Sequence, residues 1–430
     1  MTAATRPGVP DSAPIELERA VVRSWKTPII LAVFTVIAAV LFLGLRREGI
    51  STFRLSTESD VIQLPELALP TFATCLIVVI LLALGTVLSV LFTRGARART
   101  PLWLVALFAI VALFGFLAWA ASGATIPIPG LLVGALGLSV PLIFGALGGV
   151  ISERVGVVNV AIEGQLLAGA FTSAVVASVT GQILLGLVAA MAAGVLVSFV
   201  LAAFSIKYLV DQVIVGVVLN VLVTGLTSFL FGQVLNPNAA VLNSPPRLER
   251  INIPILSEIP IIGPALFRQT IIVYIAYVAI LLVWFGLFHT RWGLRLRSVG
   301  EHPQAADTVG INVSGTRFWN VSLAGAIAGL GGAYFTLGSV GAFNKEMTAG
   351  AGFIALAAVI FGRWDPIRAT LAALLFGFAS NLQSVLSIIG SPVPSEFMLM
   401  LPYIVTIFAV AGLVGMSRGP AAAGKPYIKA

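Results

Sequence analysis

The 430-residue sequence has little charge and few of the residues from which catalytic or metal sites are built. Only 10% of its residues are charged, whereas a soluble domain carries about 25%. Its single cysteine, Cys75, and its two histidines, His289 and His302, are scattered along the chain. An internal disulfide and a Cys/His metal cluster of the usual type are therefore excluded. The G-x-x-x-x-G-K-[ST] loop that cradles ATP phosphates is also absent from the sequence, so this chain cannot bind ATP in that way.

Long apolar runs dominate what is present, and 59% of the residues are hydrophobic. Runs of about 20 apolar residues are typical of membrane-crossing helices. The fold class predicted is an all-α polytopic membrane protein with about 10–12 transmembrane helices, one of which, 352–362, is too short to cross and is expected to be a half-helix. The predicted spans are 28–45, 71–93, 102–120, 131–150, 157–178, 182–205, 209–233, 270–288, 317–339, 352–362, 367–388 and 398–416.

The net charge of +8 is better explained by the membrane than by nucleic acid. With the N-terminus inside, 18 of the 25 Lys and Arg residues lie in inner segments, which predicts that both termini are cytoplasmic. No signal cleavage site follows the first apolar run, so that run is expected to be a retained anchor. The predicted organisation is a cytoplasmic N-terminal segment 1–27, additional N-terminal transmembrane helices 28–125, a core 126–416 and a cytoplasmic tail 417–430.

Polar residues inside the spans are the first candidates for function, because burying them in lipid costs several kcal/mol unless they meet a cavity or a partner (about 2.5–3.5 kcal/mol for a charge). In "SERVGVVNVAIEGQLLAGAF", Asn159 and Glu163 are four residues apart and are expected on one helical face, with Gln165 further along. Glu163 is the one carboxylate predicted to lie deep in the membrane. The alternative is a structural role, in which Glu163 binds backbone amides at a broken helix or pairs with Arg154.

Further amides follow in the later spans. Gln212 and Asn220 lie in "DQVIVGVVLNVLVTGLTSFLFGQ", and Asn320 and Asn381 lie in spans that also contain aromatic residues. Amides donate and accept hydrogen bonds and aromatic rings stack, so together they suit a neutral polar solute with a flat face. For any single ring, plain packing between helices is the alternative. A path with few charges argues against inorganic ions as the solute.

The stretch "GLRLRSVGEHPQAADTVGI", residues 293–311, is polar and lies between two apolar runs. Pro303 suits the first position of a short helix and Gly310 the position after its end. Two interpretations remain open: an amphipathic loop on the lipid surface, or a small-residue knob that fits a groove of another protein. The residues predicted on one face of this helix are Ala305, Ala306 and Val309.

This stretch closely resembles the cytoplasmic coupling loop of permease subunits in bacterial ABC importers of the branched-chain amino acid, ribose and nucleoside type. "SERVGVVNVAIEGQLLAGAF", "DQVIVGVVLN" and "AGAIAGLGGAYFTLGSVGAF" resemble the nucleoside and simple-sugar branch. The resemblance covers about 130–416, with the coupling loop at 290–316, and Asn159, Glu163 and Gly164 match the branch signature. The residues that match the coupling loop are Arg295, Arg297, Gly300, Glu301, Pro303, Ala305, Ala306 and Gly310.

The resemblance implies a permease fold like that of the vitamin B12 importer, in a bacterial plasma membrane. It also implies a second permease subunit or a copy of this chain, two cytoplasmic ATP-binding subunits that hydrolyse ATP, and an extracytoplasmic substrate-binding lipoprotein. The chain itself would bind no cofactor and would not be an enzyme. The rival class is a secondary transporter driven by an ion gradient, with Glu163 as its coupling group. A membrane enzyme is less favoured, because no loop supplies paired carboxylates.

Overall fold

The structure is a computed structural model that describes residues 24–58, 60, 62–95, 100–390, 400 and 419–429. The predicted span 398–416 lies outside these residues apart from Met400, and so does almost all of the predicted N-terminal segment 1–27.

The described chain is mainly helical. Ten of its helices are long and apolar enough to cross a membrane, which confirms the polytopic class. In chain order the helices are α1 (Lys26–Ala39), α2 (Thr71–Arg94), α3 (Leu102–Ala120), α4 (Ile128–Arg154), α5 (Ile162–Thr180), α6 (Ile183–Ala202), α7 (Gln212–Leu230), α8 (Ala239–Leu242), α9 (Ile262–Leu266), α10 (Ile271–His289), α11 (Arg291–Glu301), α12 (Pro303–Thr308), α13 (Val313–Ala333), α14 (Ala351–Phe361) and α15 (Pro366–Ile388). Four of them continue as short π-helical segments: Val40–Gly44, Ala203–Lys207, Phe231–Leu235 and Tyr334–Val340.

Short strands accompany the helices of this mainly helical fold. The short strands lie outside the membrane-length helices, where the backbone groups of connecting segments must pair with something other than a helix. In the segment between α7 and α10, β4 and β5 pair antiparallel, with Ile251 opposite Gln269. The strands are β1 (Ile50–Arg54), β2 (Leu67–Pro70), β3 (Thr125–Pro127), β4 (Arg250–Asn252) and β5 (Arg268–Thr270).

The predicted spans agree with the helices within about four residues, with one exception. The span predicted at 157–178 begins only at Ile162, because the chain leaves the helical conformation after α4. Gly156 has a φ of +93°, a value that side chains rarely adopt, and it ends α4. Residues 155–161 are therefore a non-helical turn between α4 and α5.

The chain folds as two compact units. The first contains α1, α2 and α3, that is, the described residues up to Thr52 together with Ala68–Ala124. In the most apolar stretch of α1, and likewise of α2, 22% of the residues are buried, so most side chains face outward. The second contains Phe53–Leu67 and the described residues from Thr125 onward. In the most apolar stretch of α4, and in that of α13, 67% of the residues are buried, so these two helices form the centre of the second unit.

Glycines allow the central helices of the second unit to touch backbone to backbone. A Cβ at Gly194 of α6 would lie 2.0 Å from the carbonyl oxygen of Gly325 in α13. A Cβ at Gly169 of α5 would lie 2.1 Å from the carbonyl oxygen of Gly329. Contacts this close admit no side chain, and they are the usual way in which helices associate where no hydrophobic effect drives them together.

The predicted half-helix corresponds to α14. It has 11 residues, which at 1.5 Å per residue gives about 16 Å, roughly half of the hydrocarbon thickness. A non-helical stretch, 341–350, precedes it. Five of the seven predicted path residues lie around this half-helix and the turn 155–161.

Candidate functional site

Four of the predicted amide residues meet at the turn 155–161. Asn159 donates from Nδ2 to Oε1 of Gln165 at 3.1 Å, and Gln165 donates from Nε2 to the Ser198 hydroxyl at 2.9 Å. Oε1 of Gln212 accepts from the backbone N–H of Val158 at 2.7 Å. All four amide side chains are buried, the fourth being Asn220.

Asn220 of α7 binds both sides of the same turn. Its Oδ1 accepts from the N–H of Gly164 and its Nδ2 donates to the carbonyl of Val160, each at 2.8 Å. Buried backbone groups that lack helical partners need such acceptors and donors. The amides therefore hold the non-helical turn in place. The expected helical face shared by Asn159 and Glu163 is wrong, because Asn159 precedes the start of α5.

Glu163 accepts three hydrogen bonds from the start of the half-helix. Oε1 accepts from the Thr348 hydroxyl at 2.6 Å and from the Gly350 N–H at 2.9 Å, and Oε2 accepts from the Gly352 N–H at 2.6 Å. This is the geometry of the structural alternative, in which the carboxylate binds backbone amides at a broken helix. Glu163 also lies in the first turn of α5, so two helix N-termini, each with partial positive charge, meet at one carboxylate.

The other end of α14 is held by a second carboxylate. The indole N–H of Trp364 donates to Glu153, and Nε of Arg154 donates to the Trp364 carbonyl at 2.9 Å. Arg363 and Trp364 have φ values of 54° and 56°, which cost about 1–3 kcal/mol each and persist only where surrounding contacts impose them. Glu153 is buried within the protein, as Glu163 is. The "SER" of the branch signature thus supplies two groups that fix this turn.

The remaining two predicted path residues lie elsewhere. Asn320 accepts from the indole N–H of Trp292 at 2.9 Å, which joins α13 to α11. Asn381 donates to the carbonyl of Leu131 at 2.7 Å, which joins α15 to α4. Each of the seven predicted path residues thus has a protein partner in the described structure, so these contacts shape the walls of the bundle.

The stretch predicted as a coupling loop forms two helices, α11 and α12. At the start of α11 the Thr290 hydroxyl accepts from the N–H of Gly293. A Cβ at Gly293 would lie 2.3 Å from two carbonyl oxygens of α10, so α11 turns sharply against α10. Gly300 lies equally close to α4, since a Cβ there would be 2.0 Å from the Arg154 carbonyl oxygen. α11 therefore packs closely against α10 and against the end of α4, where the turn 155–161 begins.

The predicted knob of α12 is only partly correct. Ala305 and Val309 are exposed, but Ala306 is 3% exposed and packs in the core of the second unit. These three residues therefore do not form one outward face, because α12 lies flat on the protein with Ala306 inward. Among the other matches to the coupling loop, Arg295 and Glu301 are exposed and Pro303 begins α12. Arg297 is half-buried with its guanidinium 5.2 Å from the Phe288 ring centre, and Gly310 ends the element with a φ of +86°.

Sequence reasoning missed the segment that follows the last predicted span. Residues 419–429 are not a free tail: the N–H of Ala422 donates to the Gly300 carbonyl at 2.9 Å. The stretch is short, rich in alanine and without periodicity, so its composition gave no signal for docking. Thr348 and Trp364 were also missed, since they lie 185 and 211 residues from their carboxylate partners.

The fold and these contacts define a polytopic helical membrane protein with a half-helix, α14, whose two ends are held by buried carboxylates. The family described as the permease component of branched-chain amino acid transport systems matches residues 131–410. This chain therefore belongs to that family. The first unit, which ends at Ala124, lies outside the matched residues.

The chain is similar to several named permeases of ABC transporters. The guanosine ABC transporter permease protein NupQ of Bacillus subtilis (strain 168) is 45% identical over 302 residues, which are 67% of this chain and 93% of the relative. The nucleoside ABC transporter permease protein NupC of Lactococcus lactis is 42% identical over 68% of this chain and 94% of the relative. The putative glucose ABC transporter permease protein TsgC13 of Haloferax volcanii is 38% identical over 59% and 77%. No solved structure matches the chain.

Proposed function

We propose that this chain is the membrane-spanning permease of an ABC importer that takes up nucleosides or a related sugar-containing solute. The observation that carries the proposal is the similarity to two nucleoside permeases over more than nine tenths of their lengths. The similarity to a putative glucose permease supports the wider solute class, because nucleosides and sugars share a hydroxylated ring. The fold proposed is that of the vitamin B12 importer permease, and the location is the bacterial plasma membrane with both termini in the cytoplasm.

The partners proposed are those of an ABC importer. Two cytoplasmic ATP-binding subunits would hydrolyse ATP, a second permease or a copy of this chain would complete the pore, and an extracytoplasmic lipoprotein would deliver the solute. The chain would bind no cofactor itself. The close packing of α11 against α4 and α10 supports a role in passing motion from the ATPase to the bundle, since a loosely attached loop could not do so.

The face of α12 that meets the ATPase is proposed to be the one with Val309, which is 75% exposed. Val309→Asp should therefore weaken ATPase binding without disturbing the fold. Ala306→Glu would not separate loss of ATPase binding from loss of folding, because a charge at this buried position disrupts the core of the permease itself.

The translocation path is proposed to run beside the turn 155–161 and the start of α14. Irregular backbone inside a membrane protein is found where it is buried in protein or lines a cavity, and both interruptions meet at Glu163. In this proposal Asn159, Glu163 and the neighbouring amides hold the wall of the path. The solute would meet the backbone and aromatic groups that they position.

The proposal is tested by uptake of labelled guanosine and labelled glucose into a bacterial strain that lacks this chain, with and without the chain restored. We expect ATP-dependent uptake of guanosine to return, and to persist when the proton gradient is collapsed while ATP is held constant. If the purified chain alone concentrated a solute with a proton gradient, and lost that ability in Glu163→Gln, the ion-driven carrier would be the correct function. Restored uptake of glucose alone would replace the nucleoside as substrate.

A further inference from the structure

The segment 419–429 is fixed to the end of α11 by hydrogen bonds that its backbone N–H groups donate. Besides the bond from Ala422 to the Gly300 carbonyl, the N–H of Ala421 donates to the Glu301 carboxylate at 3.2 Å. Ala422 is buried. The segment therefore forms a second layer over the end of α11. It also lies beyond the residues that the family matches, 131–410, so the family's coupling loop does not include it.

A buried arginine provides a second anchor. Arg317, near the start of α13, is 2% exposed and is one of the largest fully buried side chains in the described structure. Its Nη1 donates to the carbonyl oxygen of Lys425 at 3.0 Å, whereas Nε and Nη2 have no hydrogen-bond partner among the described residues. An arginine with so few acceptors depends on each one it has. The carbonyl of Lys425 therefore ties this segment to the folded core.

The end of the segment lies against α12. Nζ of Lys429 lies 3.7 Å from the Asp307 carboxylate. A half-open cleft of about 280 Å³ separates the two elements and is lined by Asp307, Gly310 and Ile311 on one side and by Tyr427 and Lys429 on the other. The segment and α12 thus share one continuous surface.

Large apolar side chains project from both parts of this surface. Val309, two residues after Asp307, is 75% exposed, and Ile428, between Tyr427 and Lys429, is 71% exposed. Single exposed apolar residues are ordinary, but two beside one cleft with a polar lining resemble the apolar centre and polar rim of a protein interface. The stretch is polar around them, so membrane lipid does not explain both.

We propose that residues 419–429 are a third segment of the ATPase-docking surface, beside α11 and α12, with Ile428 and Val309 covered together by the ATP-binding subunit. This inference rests on the proposed function. We infer the ATP-binding subunit as the partner of this surface because α12, which is proposed to meet that subunit, forms one wall of the cleft.

The test uses cysteine protection in the purified importer complex. The sequence contains only Cys75, which is buried, so Ile428→Cys and Val309→Cys each introduce one accessible thiol. Val210→Cys, in the loop between α6 and α7, is the matched control for an exposed position outside the proposed surface. Labelling by a hydrophilic maleimide is measured with the ATP-binding subunits bound and after they are stripped. The unsubstituted chain gives the background from Cys75.

We expect bound subunits to abolish labelling at Ile428→Cys and Val309→Cys but not at Val210→Cys. Protection of Val309→Cys alone would overturn this inference and leave the proposed function intact. Protection of Ile428→Cys alone would contradict the proposal that the two residues are covered together. If no ATP-binding subunit purifies with the unsubstituted chain, the proposed function itself fails. As a second measurement, Ile428→Asp should lose solute-stimulated ATP hydrolysis while Val210→Asp keeps it, and unchanged hydrolysis in Ile428→Asp would contradict the inference.

Discussion

The two ends of α14 are held by two buried carboxylates, ten residues apart in the sequence, that meet different kinds of donor. At the start of α14, Glu163 accepts from two backbone N–H groups and a hydroxyl. At the other end, Glu153 accepts from the indole N–H of Trp364. The first carboxylate satisfies groups that every sequence has at a helix start, whereas the second satisfies one particular side chain.

This difference separates two functions of a buried charge. Glu163 replaces the missing preceding turn of a helix that begins inside the bundle, so both of its oxygens are needed. Glu153 fixes a turn that is also held by a backbone hydrogen bond. In that bond the N–H of Trp364 donates to the carbonyl of Val359 at 3.1 Å. We therefore expect substitutions at the start of α14 to cost more than the same substitutions at its end, and the following predictions test that order.

The largest effect is expected for Glu163→Ala. The change leaves three donors without their acceptor, and each unsatisfied buried donor costs about 1–3 kcal/mol. The thermal midpoint of the purified permease in one detergent should fall steeply, and uptake should be lost with it. The exposed Glu258→Ala is the control for loss of a carboxylate. A midpoint like that of the control would show that water or another group satisfies these donors.

A smaller but large effect is expected for Gly352→Ala. The added Cβ would lie 2.3 Å from the backbone nitrogen of Glu163, so α14 must move away from α5. Overfilling a packed contact costs about 1–3 kcal/mol. Gly225→Ala in α7 is the matched control, because a Cβ there meets nothing within 4 Å. Equal thermal midpoints for the two variants would contradict the close contact between α14 and α5.

The sequence predicted much of the fold because crossing a bilayer requires a long apolar run, and such runs are visible in composition alone. The sequence-based prediction was wrong at residues 155–161, whose valines are as apolar as those of a span. Hydropathy reports how apolar a stretch is and does not report whether its backbone is helical. Gly156 was the only local signal. The amides and Glu163 were found because polar groups are costly in a membrane. Their partners were not, since the bond from Thr348 to Glu163 joins residues 185 apart.

A moderate effect is expected for Glu163→Gln. The amide oxygen can replace Oε1 and accept from Thr348 and Gly350, but the amide N–H₂ group then faces the Gly352 N–H, donor against donor. These two facing donors cost about 1–3 kcal/mol each, less in total than the three donors that Glu163→Ala leaves without an acceptor. Much of the transport should survive, which the ion-driven rival does not allow. Uptake driven by ATP, with the thermal midpoint measured in parallel, separates loss of folding from loss of coupling.

The smallest effect is expected for Glu153→Gln. The amide oxygen of glutamine can still accept from the Trp364 indole, and a buried charge is removed, which offsets the weaker hydrogen bond. The thermal midpoint should therefore change by less than that of Glu163→Gln, with a difference in free energy below about 1 kcal/mol. Trp364→Phe, which removes the indole donor but keeps an aromatic ring, is the companion variant. It should cost more than Glu153→Gln because it leaves the Glu153 carboxylate buried without its donor.

If Glu153→Gln were instead as damaging as Glu163→Gln, the negative charge itself would be needed at the end of α14. The two carboxylates would then act as one electrostatic pair around the half-helix, and their double substitution would be less damaging than the sum of the two single ones.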